Sequence, residues 1–469
     1  MNSKLLNLAP WLPALAAVLA LAALSLWWTG GTDPGVVKRV PGTDAPPGVD
    51  TAAIANPAQG GKVTVGTAQP ATFAGVWPQF RGPNRDGQMA SPPPLARTWP
   101  AGGPPKLWSV PVGEGYAGTV IEAGRVFLMD YDREAKLSVL RCLSLADGAE
   151  IWRYAYPLTI KRNHGMTRTV PALAGGRIVA MDSKCNVLCC DAATGQLHWA
   201  INLVREFGAK IPEWYAGQCP LIVSNTVILA PGGPDALLLA VDLAAGRPLW
   251  QTPNPRDWKM THSSVMPMSF NGQAMYLYCG SGGVAGVNPA DGALLWDTPD
   301  WKISIACVPS PVPLPDGRIF LSGGYNAGSL MLQLADAGGK LAAKPAFRLP
   351  PEKFGSTQQT PILYGNHLYG VRPDGQFVCL NLEGKIVWAS GSGQSYGLGS
   401  YLLAEGLIFA VNDSAKLSLL EASPSRFNLL GQLQVVADAR ESWGPMALAG
   451  TRLLVRDFSH LVCLDVGAK

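Results

Sequence analysis

Charged side chains are scarce in this chain of 469 residues: Asp, Glu, Lys and Arg together make up only 15%, against about a quarter in a typical soluble protein. The formal net charge of +4 leaves no strongly basic surface, which excludes nucleic acid as the expected partner. The five histidines contain no pair four residues apart, and the nine cysteines contain no C-x-x-C spacing. The usual sequence signals for a zinc site or a covalently attached haem are therefore missing.

Apolar residues, by contrast, are plentiful. They make up 48% of the sequence, which is enough to bury a large core and excludes an intrinsically disordered chain. The 53 glycines and 40 prolines show no collagen-like period, so they favour many tight turns over long helices.

The amino-terminal segment is the longest apolar stretch. No charged residue lies between Lys4 and Asp33, and an apolar run extends from Trp11 to Trp28. Its length fits a membrane span of about 20 residues, and the tryptophans fit anchors at the membrane interface. We therefore predict that residues 1–28 form a cytoplasmic tip and one transmembrane helix in the cytoplasmic (inner) membrane. The alternative is a cleaved signal peptide, against which the lack of a small-x-small cleavage site argues.

The location of the remaining chain follows from the same segment. Lys4 favours a cytoplasmic amino terminus, which places everything after the helix in the periplasm. Cleavage would instead yield a soluble periplasmic or secreted protein. Residues 29–76 are rich in Gly, Pro, Ala and Thr without periodicity, and they predict an extended linker that does not pack.

A unit of about 45 residues recurs from residue 105 to the end of the chain. In one half of the unit, a strand that begins with a small residue leads through a tight turn, commonly Asp-Gly or Thr-Gly, to a strand that carries a tryptophan. This pattern occupies residues 142–152, 189–199, 240–250, 286–296 and 379–388. A strand, a tight turn and a second strand make a β-hairpin.

A second apolar hairpin precedes each of these. Its turns recur at intervals of 40 to 52 residues, at Gly124, Gly176, Thr226, Gln273, Gly317, Asn366, Gly406 and Thr451. Two hairpins give four strands, which is one blade of a β-propeller. The predicted fold class is therefore all-β, an eight-bladed propeller of four-stranded blades preceded by one transmembrane helix.

Neither end of the repeat region is a complete unit. Residues 445–465 supply three strands without a tryptophan strand, whereas the segment around Trp108 is a tryptophan strand with no hairpin ahead of it. We expect the two termini to share the eighth blade, because this closure removes an exposed strand edge. The propeller then occupies residues 105–469, and residues 77–104 form an N-terminal arm with the motif WPQFRGPNRDG.

The repeats resemble the quinoprotein-type repeats of the pyrroloquinoline quinone (PQQ)-like β-propellers. Residues 77–87, 206–214 and 323–328 are similar to segments of a bacterial subset often found in planctomycetes and their relatives. Members of that subset are usually named after a component of the outer-membrane β-barrel assembly machinery. The resemblance covers roughly residues 77–466 and implies a propeller fold. By analogy, it implies a protein-binding scaffold without catalysis or cofactor, which serves protein assembly in the cell envelope.

Several side chains in the long connections between blades are not explained by the repeat. They make up a candidate binding face of His164, Arg168, Trp214, Trp258, His262, Trp301, Gln358 and Trp443. Trp and Arg contribute much of the energy of protein interfaces, which favours a binding surface. The alternative is that these rings cover the ends of the blade cores. The tryptophans at the repeat positions are expected to pack between blades instead.

Two other functions stay open. A PQQ-dependent alcohol or sugar dehydrogenase would need PQQ and calcium, and hence several converging carboxylates. Ahead of the first strands only Glu114 is acidic, and no aspartate is placed there to act as a base. The adjacent Cys189 and Cys190 are similar to the vicinal disulfide of quinoprotein dehydrogenases, but Cys189 occupies the small-residue position of the repeat, which predicts packing. A carbohydrate-binding propeller would also suit the exposed tryptophans.

Overall fold

The computed structural model describes residues 12–30, 56–89, 91–336 and 338–468. Its main body is a ring of eight antiparallel blades, each built from four strands. The first strands of several neighbouring blades contact one another around a central channel, and the fourth strands lie at the outer rim. The eight-bladed all-β fold predicted from the repeats is confirmed.

We number the blades in the chain order of their innermost strands. From the inner to the outer edge, the strands are Val120–Glu122, Arg125–Asp132, Leu137–Ser144 and Glu150–Pro157 in blade 1; Ala172–Ala174, Arg177–Met181, Asn186–Asp191 and Leu197–Asn202 in blade 2; Leu221–Val223, Thr226–Leu229, Leu239–Asp242 and Pro248–Gln251 in blade 3; and Met266–Phe270, Gln273–Gly280, Gly283–Val287 and Leu294–Thr298 in blade 4.

The second half of the ring repeats this order. The strands are Val312–Pro313, Arg318–Gly323, Gly328–Asp336 and Leu341–Leu349 in blade 5; Ile362–Tyr364, His367–Val371, Phe377–Asn381 and Ile386–Ala389 in blade 6; Tyr401–Ala404, Leu407–Val411, Lys416–Glu421 and Leu429–Gln434 in blade 7; and Ala447–Ala449, Arg452–Arg456, His460–Asp465 and Lys106–Pro111 in blade 8. Outside these strands lie the helices Leu12–Gly30 and Leu203–Phe207, the 3-10 helix Pro57–Gly60, and the strands Lys62–Val65 and Gln88–Met89.

The ring is closed by both ends of the propeller. The outer strand of blade 8, Lys106–Pro111, pairs antiparallel with His460–Asp465, and Trp108 lies opposite Cys463. The predicted sharing of the eighth blade is therefore confirmed. Because the last blade takes its fourth strand from the start of the propeller region, the first and last blades are joined directly.

The repeat tryptophans join neighbouring blades, as predicted. Five of them donate the indole N–H to a backbone carbonyl of the next blade: Trp108 to Leu145, Trp152 to Ala192, Trp199 to Leu243, Trp250 to Pro289 and Trp388 to Ser423. Trp296 is directed at the sulfur of Met275 in its own blade. Blade 5, which follows it, has a long outer hairpin in place of the tight turn that receives the other indoles.

Four of the five receiving turns place a glycine against the indole ring, and only the turn that receives Trp388 has none. A Cβ atom at Gly195 would lie 2.6 Å from the Trp152 ring, and at Gly246 it would lie 2.4 Å from the Trp199 ring. Both glycines also have φ above +70°, a backbone conformation that is costly for residues with a side chain. These four turns need glycine for two reasons, the backbone conformation and the contact with the preceding blade.

Gly195→Ala is expected to lower stability more than Gly176→Ala. The φ of Gly176 is +73° and that of Gly195 is +76°, but a Cβ at Gly176 meets no atom within 4 Å. Gly176→Ala should therefore cost only the backbone strain, about 1–2 kcal/mol. Gly195→Ala should cost about 1–3 kcal/mol more, because the methyl group displaces the Trp152 ring. Urea unfolding of both variants measures the difference, and equal losses would contradict the contact between blades.

Residues 56–76, which the sequence assigned to the linker, pack against the ring instead. The strand Lys62–Val65 adds to the outer edge of blade 1, with Val65 opposite Trp152. Further along, the Ala71 N–H donates to the Gly124 carbonyl at 3.0 Å. The outer edge of a blade offers unpaired backbone groups to any extended segment, whatever its composition. The composition of this segment therefore gave no sign of its strand pairing. Residues 31–55 of the predicted linker lie outside the described residues.

The predicted amino-terminal helix is present as Leu12–Gly30, and its described side chains are exposed. Within the part of the chain that the structure describes, no helix combines the length and the apolar character needed to cross a membrane. The predicted membrane span is thus not confirmed. Lys4 and Trp11, on which its orientation and one of its ends were argued, lie outside the described residues.

Candidate functional site

The N-terminal arm crosses the central channel and is bonded to the innermost strands. Trp77 exchanges two backbone hydrogen bonds with Ile121 of blade 1, at 2.8 and 2.9 Å. The next residue, Pro78, accepts from the Leu173 N–H of blade 2 at 2.8 Å. The inner edge of a blade has no neighbouring strand, so its backbone groups need such partners once water is excluded. The arm supplies them on this side of the channel.

Two arginines of the arm extend this attachment across the channel. Arg85 donates to the carbonyls of Cys219 and Pro220 ahead of blade 3, at 3.2 and 2.9 Å. Arg81 donates to the carbonyls of Thr360 and Pro361 ahead of blade 6, at 2.6 and 3.1 Å. Burial lowers the pKa of both guanidinium groups to about 10, so both stay charged at neutral pH.

The arm leaves the channel along blade 7. The Leu403 N–H donates to the Gly87 carbonyl at 2.9 Å, and Gln88–Met89 runs parallel to Leu403–Ala404. The arm therefore bridges blades 1, 2, 3, 6 and 7 and closes the channel from within. Above it, the channel is a cup.

The cup opens toward the face of the ring that carries the long connections between blades, here called the connection face. Its volume is about 310 Å³, and Trp77, Phe80 and Arg81 of the arm line it. Six of the eight residues of the predicted binding face also line it: His164, Arg168, Trp214, His262, Gln358 and Trp443. The structure thus gathers most of the predicted residues around one concave site.

Trp258 and Trp301 do not belong to this group. Both are buried, with exposed fractions of 6% and 3%, and both pack inside blade cores. Trp258 is held by Asn254, whose side chain bonds to both its backbone N–H and its carbonyl. These two rings therefore follow the alternative interpretation, in which the tryptophans of the connections cover the ends of the blade cores. They are withdrawn from the candidate face.

Two aromatic pairs flank the cup. Trp214 stacks on Tyr325, with ring centroids 6.2 Å apart and planes at 13°. Tyr116 stacks on Trp443, with centroids 5.1 Å apart and planes at 28°. Tyr325 was not among the predicted residues, although it lies within the segment 323–328 that carried the resemblance. It lies at the tip of the hairpin between the second and third strands of blade 5, which periodicity alone marks as a turn.

Local backbone geometry directs Trp214 toward the cup. Trp214 and Tyr215 have φ of +63° and +72°, a conformation that is uncommon for bulky residues and persists only where other contacts enforce it. Tyr215 is fully buried, and its hydroxyl donates to the Lys161 carbonyl at 2.6 Å. Tyr215 thus anchors the turn that presents the Trp214 ring.

The electrostatic environment of the cup is cationic. Arg168 lies over the Tyr116 ring at 5.5 Å and donates to the carbonyls of Gly165 and Asn163. Burial lowers the Arg168 pKa to about 10, so it remains charged. No Asp or Glu is among the described residues that line the cup. Two carboxylates at the rim are engaged in hydrogen bonds, since Glu441 accepts from the Tyr116 hydroxyl and Asp413 accepts from the Trp443 indole N–H.

His262 is neutral in this environment. Burial, and then the charge of Arg168, lowers the pKa of His262 to about 4, against a smaller opposing effect of the backbone at Glu213 and Tyr215. Neither ring nitrogen makes a hydrogen bond of good geometry among the described residues. The imidazole therefore offers one donor and one acceptor.

A calcium-bound quinone does not fit these residues. Calcium prefers several oxygen ligands, including carboxylates, and the described lining of the cup contains none. In the described part of the chain, no three His, Cys, Asp or Glu side chains converge on a possible metal position. Cys189 and Cys190 are both buried in a strand of blade 2 and face different cores, as packing predicts.

The comparisons with known proteins agree with this architecture. A family model described as "Outer membrane protein assembly factor BamB" matches residues 135–390, more than half of the chain. The structure of BamB from Moraxella catarrhalis aligns with a TM-score of 0.52 and 14% identity, covering 77% of this chain and 99% of that one. None of the curated proteins compared with the sequence matches it.

Two other solved structures are similar in fold. A europium-containing methanol dehydrogenase aligns with a TM-score of 0.58 and 12% identity, covering 82% of this chain and 89% of that one. The computationally designed Ika8 protein aligns with a TM-score of 0.52 and 11% identity, covering 76% and 99%. At these identities the likeness concerns the fold alone.

His262→Gln is expected to flatten the dependence of stability on pH between 6.5 and about 4. The folded pKa of His262 is about 4 and its ordinary value is 6.5, so in this window the unfolded chain binds more protons. Stability is therefore full above pH 6.5 and declines as the pH falls. At about 1.4 kcal/mol per pKa unit, the imidazole accounts for roughly 3 kcal/mol of the decline.

Urea unfolding at pH 7, 5.5 and 4.5 measures this effect. The wild type should lose more unfolding free energy than His262→Gln as the pH falls. His164→Gln serves as the control, because it removes a histidine that is exposed at the rim rather than buried. Equal slopes for wild type and His262→Gln would contradict a buried, neutral imidazole.

Proposed function

Because the chain belongs to the family of outer membrane protein assembly factor BamB, we propose that it is a non-catalytic scaffold that binds a protein partner. The observation that carries the proposal is the group of partly exposed aromatic and cationic side chains around the cup, above all Trp214, Trp443 and Arg168. Trp, Tyr and Arg dominate the binding energy of protein interfaces when they surround a pocket.

The contacts that hold these side chains in place support a binding role. Trp443 is held by its stack on Tyr116 and its bond to Asp413, at 2.7 Å. Trp214 is held by its stack on Tyr325. A ring that is ordered before binding loses little conformational entropy when a partner arrives. The aromatic rings of the connection face are therefore preorganised to bind a protein partner.

The partner and the location are the finer part of the proposal. The matching family and the Moraxella catarrhalis structure carry the name of an outer-membrane protein assembly factor, which supports a partner in the cell envelope. The apolar, uncharged segment at the amino terminus supports a propeller held in the periplasm by a membrane anchor. A PQQ-dependent dehydrogenase is the alternative, supported by the cationic and aromatic character of the cup but not by its lack of carboxylates.

Photo-crosslinking in intact cells tests the scaffold. A photoreactive phenylalanine at position 164, at the rim of the cup, should give a discrete crosslink to an envelope protein. The same group at position 366, in an exposed turn on the opposite face, should not. Trp214→Ala should weaken partner binding about thirtyfold, as loss of about 2 kcal/mol implies. Tyr364→Ala, which removes an exposed aromatic ring from the opposite face, should leave binding unchanged.

Three outcomes would contradict the proposal. Equal crosslinking from both faces would show that the connection face is not selective. A cytoplasmic partner would refute the periplasmic location. Reduction of an artificial electron acceptor by alcohols, dependent on added PQQ and calcium, would replace the scaffold with the dehydrogenase.

A further inference from the structure

We propose that the cup binds a sugar that carries an anionic group, such as a uronic acid or a sulfated sugar. This ligand differs from the protein partner and occupies the interior of the cup, although Trp214 and Arg168 belong to both proposed sites. Three properties of the lining residues define its chemistry: charge, flat apolar surface and unused neutral hydrogen-bonding groups.

The charge of the cup calls for an anion. Arg168 makes hydrogen bonds only to the two carbonyls of Gly165 and Asn163 among the described residues, which leaves other N–H groups free to donate. Arg81 adds a second guanidinium at the floor. The described lining contains no carboxylate. Asp86 lies near Arg81, and Glu441 lies near Arg168 but accepts from the Tyr116 hydroxyl. An anionic group placed beside Arg168 would form a charge-assisted hydrogen bond in a site sheltered from water.

The aromatic pairs supply flat surfaces for a sugar ring. Trp214 with Tyr325, and Tyr116 with Trp443, flank the cup and are themselves stacked. A pyranose ring has one face of C–H groups, which packs on an aromatic face and buries apolar area. The cup volume of about 310 Å³ lies at the lower end of the 300–1,000 Å³ range of small-molecule sites. The site therefore suits a ligand of one or two rings.

Neutral polar groups distinguish a sugar from a purely aromatic acid. Neither ring nitrogen of His262 makes a hydrogen bond of good geometry among the described residues, although the backbone at Glu213 and Tyr215 lies close enough to raise the pKa of the imidazole. His262 lines the cup. Gln358 and Ser400 also line it. An aromatic acid has too few polar atoms to satisfy these groups, and leaving them unpaired would cost affinity. The hydroxyl groups of a sugar can both donate and accept, as these positions require.

Calorimetric titration with matched sugars tests the proposal. The probes are D-glucuronic and D-galacturonic acid, glucose 6-sulfate and galactose 6-sulfate, with glucose and galactose as neutral counterparts. At least one acidic sugar should bind about tenfold or more tightly than its neutral counterpart, because a hydrogen bond to a charged group contributes that much. Preference for the uronic acid or for the sulfated sugar identifies the anionic group.

Variants assign the binding to the cup. Arg168→Gln should remove the preference for the acidic sugar, and Trp214→Ala should weaken acidic and neutral sugars alike. Arg318→Gln is the matched control, since it removes an arginine that pairs with Asp316 at a turn on the opposite face. Thermal melts establish that each variant is folded, and Trp214→Ala keeps the test valid if Arg168→Gln unfolds.

Three results of the titrations would refute the sugar site. Failure of every acidic sugar to bind at 10 mM, equal binding of acidic and neutral sugars, or an undiminished preference in Arg168→Gln would each refute the proposal. These results leave the protein scaffold untouched, because crosslinking at the rim measures that function independently.

Discussion

The unpaired inner edge of each blade is the constraint on which the site depends. A propeller strand that faces the channel has backbone groups with no neighbouring strand, and burying them without partners costs free energy. In this chain the N-terminal arm satisfies part of that requirement, through Trp77 and Pro78 on one side and the guanidinium groups of Arg81 and Arg85 on the other. The same contacts convert an open channel into a cup with an aromatic and cationic floor.

The rest of the ring holds the cup in a fixed shape. Four indoles of the outer strands pack on glycine turns of the following blades, and the two ends of the propeller complete blade 8. The long connections emerge from this ring, and stacking on Tyr325 and Tyr116 fixes the positions of Trp214 and Trp443. This arrangement gives a binding protein an ordered surface.

The periodicity of the sequence predicts the ring of blades but not which residues of the connections line the central site. The recurrent turns and tryptophans predict eight blades and the shared eighth blade, because each repeat must bury the same positions. Connections do not obey the repeat, so the sequence separates them from the blades without distinguishing the partly exposed Trp214 from the buried Trp258 and Trp301. That distinction depends on local contacts, such as the bonds from Asn254 to the Trp258 backbone.

The arm and the preceding segment are outside the repeat altogether. Residues 56–76 pack through backbone pairing, which a composition of Gly, Pro, Ala and Thr does not reveal. The motif from Trp77 to Gly87 stands out by resemblance, but its course across the channel follows from contacts with five blades that are distant in sequence. Arg81, for example, bonds to carbonyls about 280 positions further along the chain. Tyr325 reaches the cup through a similar long-range contact with Trp214.

Amide-resolved hydrogen–deuterium exchange tests most directly whether the arm is a permanent floor of the cup. The backbone N–H groups of Ile121, Leu173 and Leu403 donate to arm carbonyls, so they should exchange only through global unfolding, as slowly as the central strand amide of Leu188. If the arm visits the channel only transiently, these three amides would exchange at the fast rates of exposed loops while Leu188 stays protected. That result would contradict the cup and the site built on it.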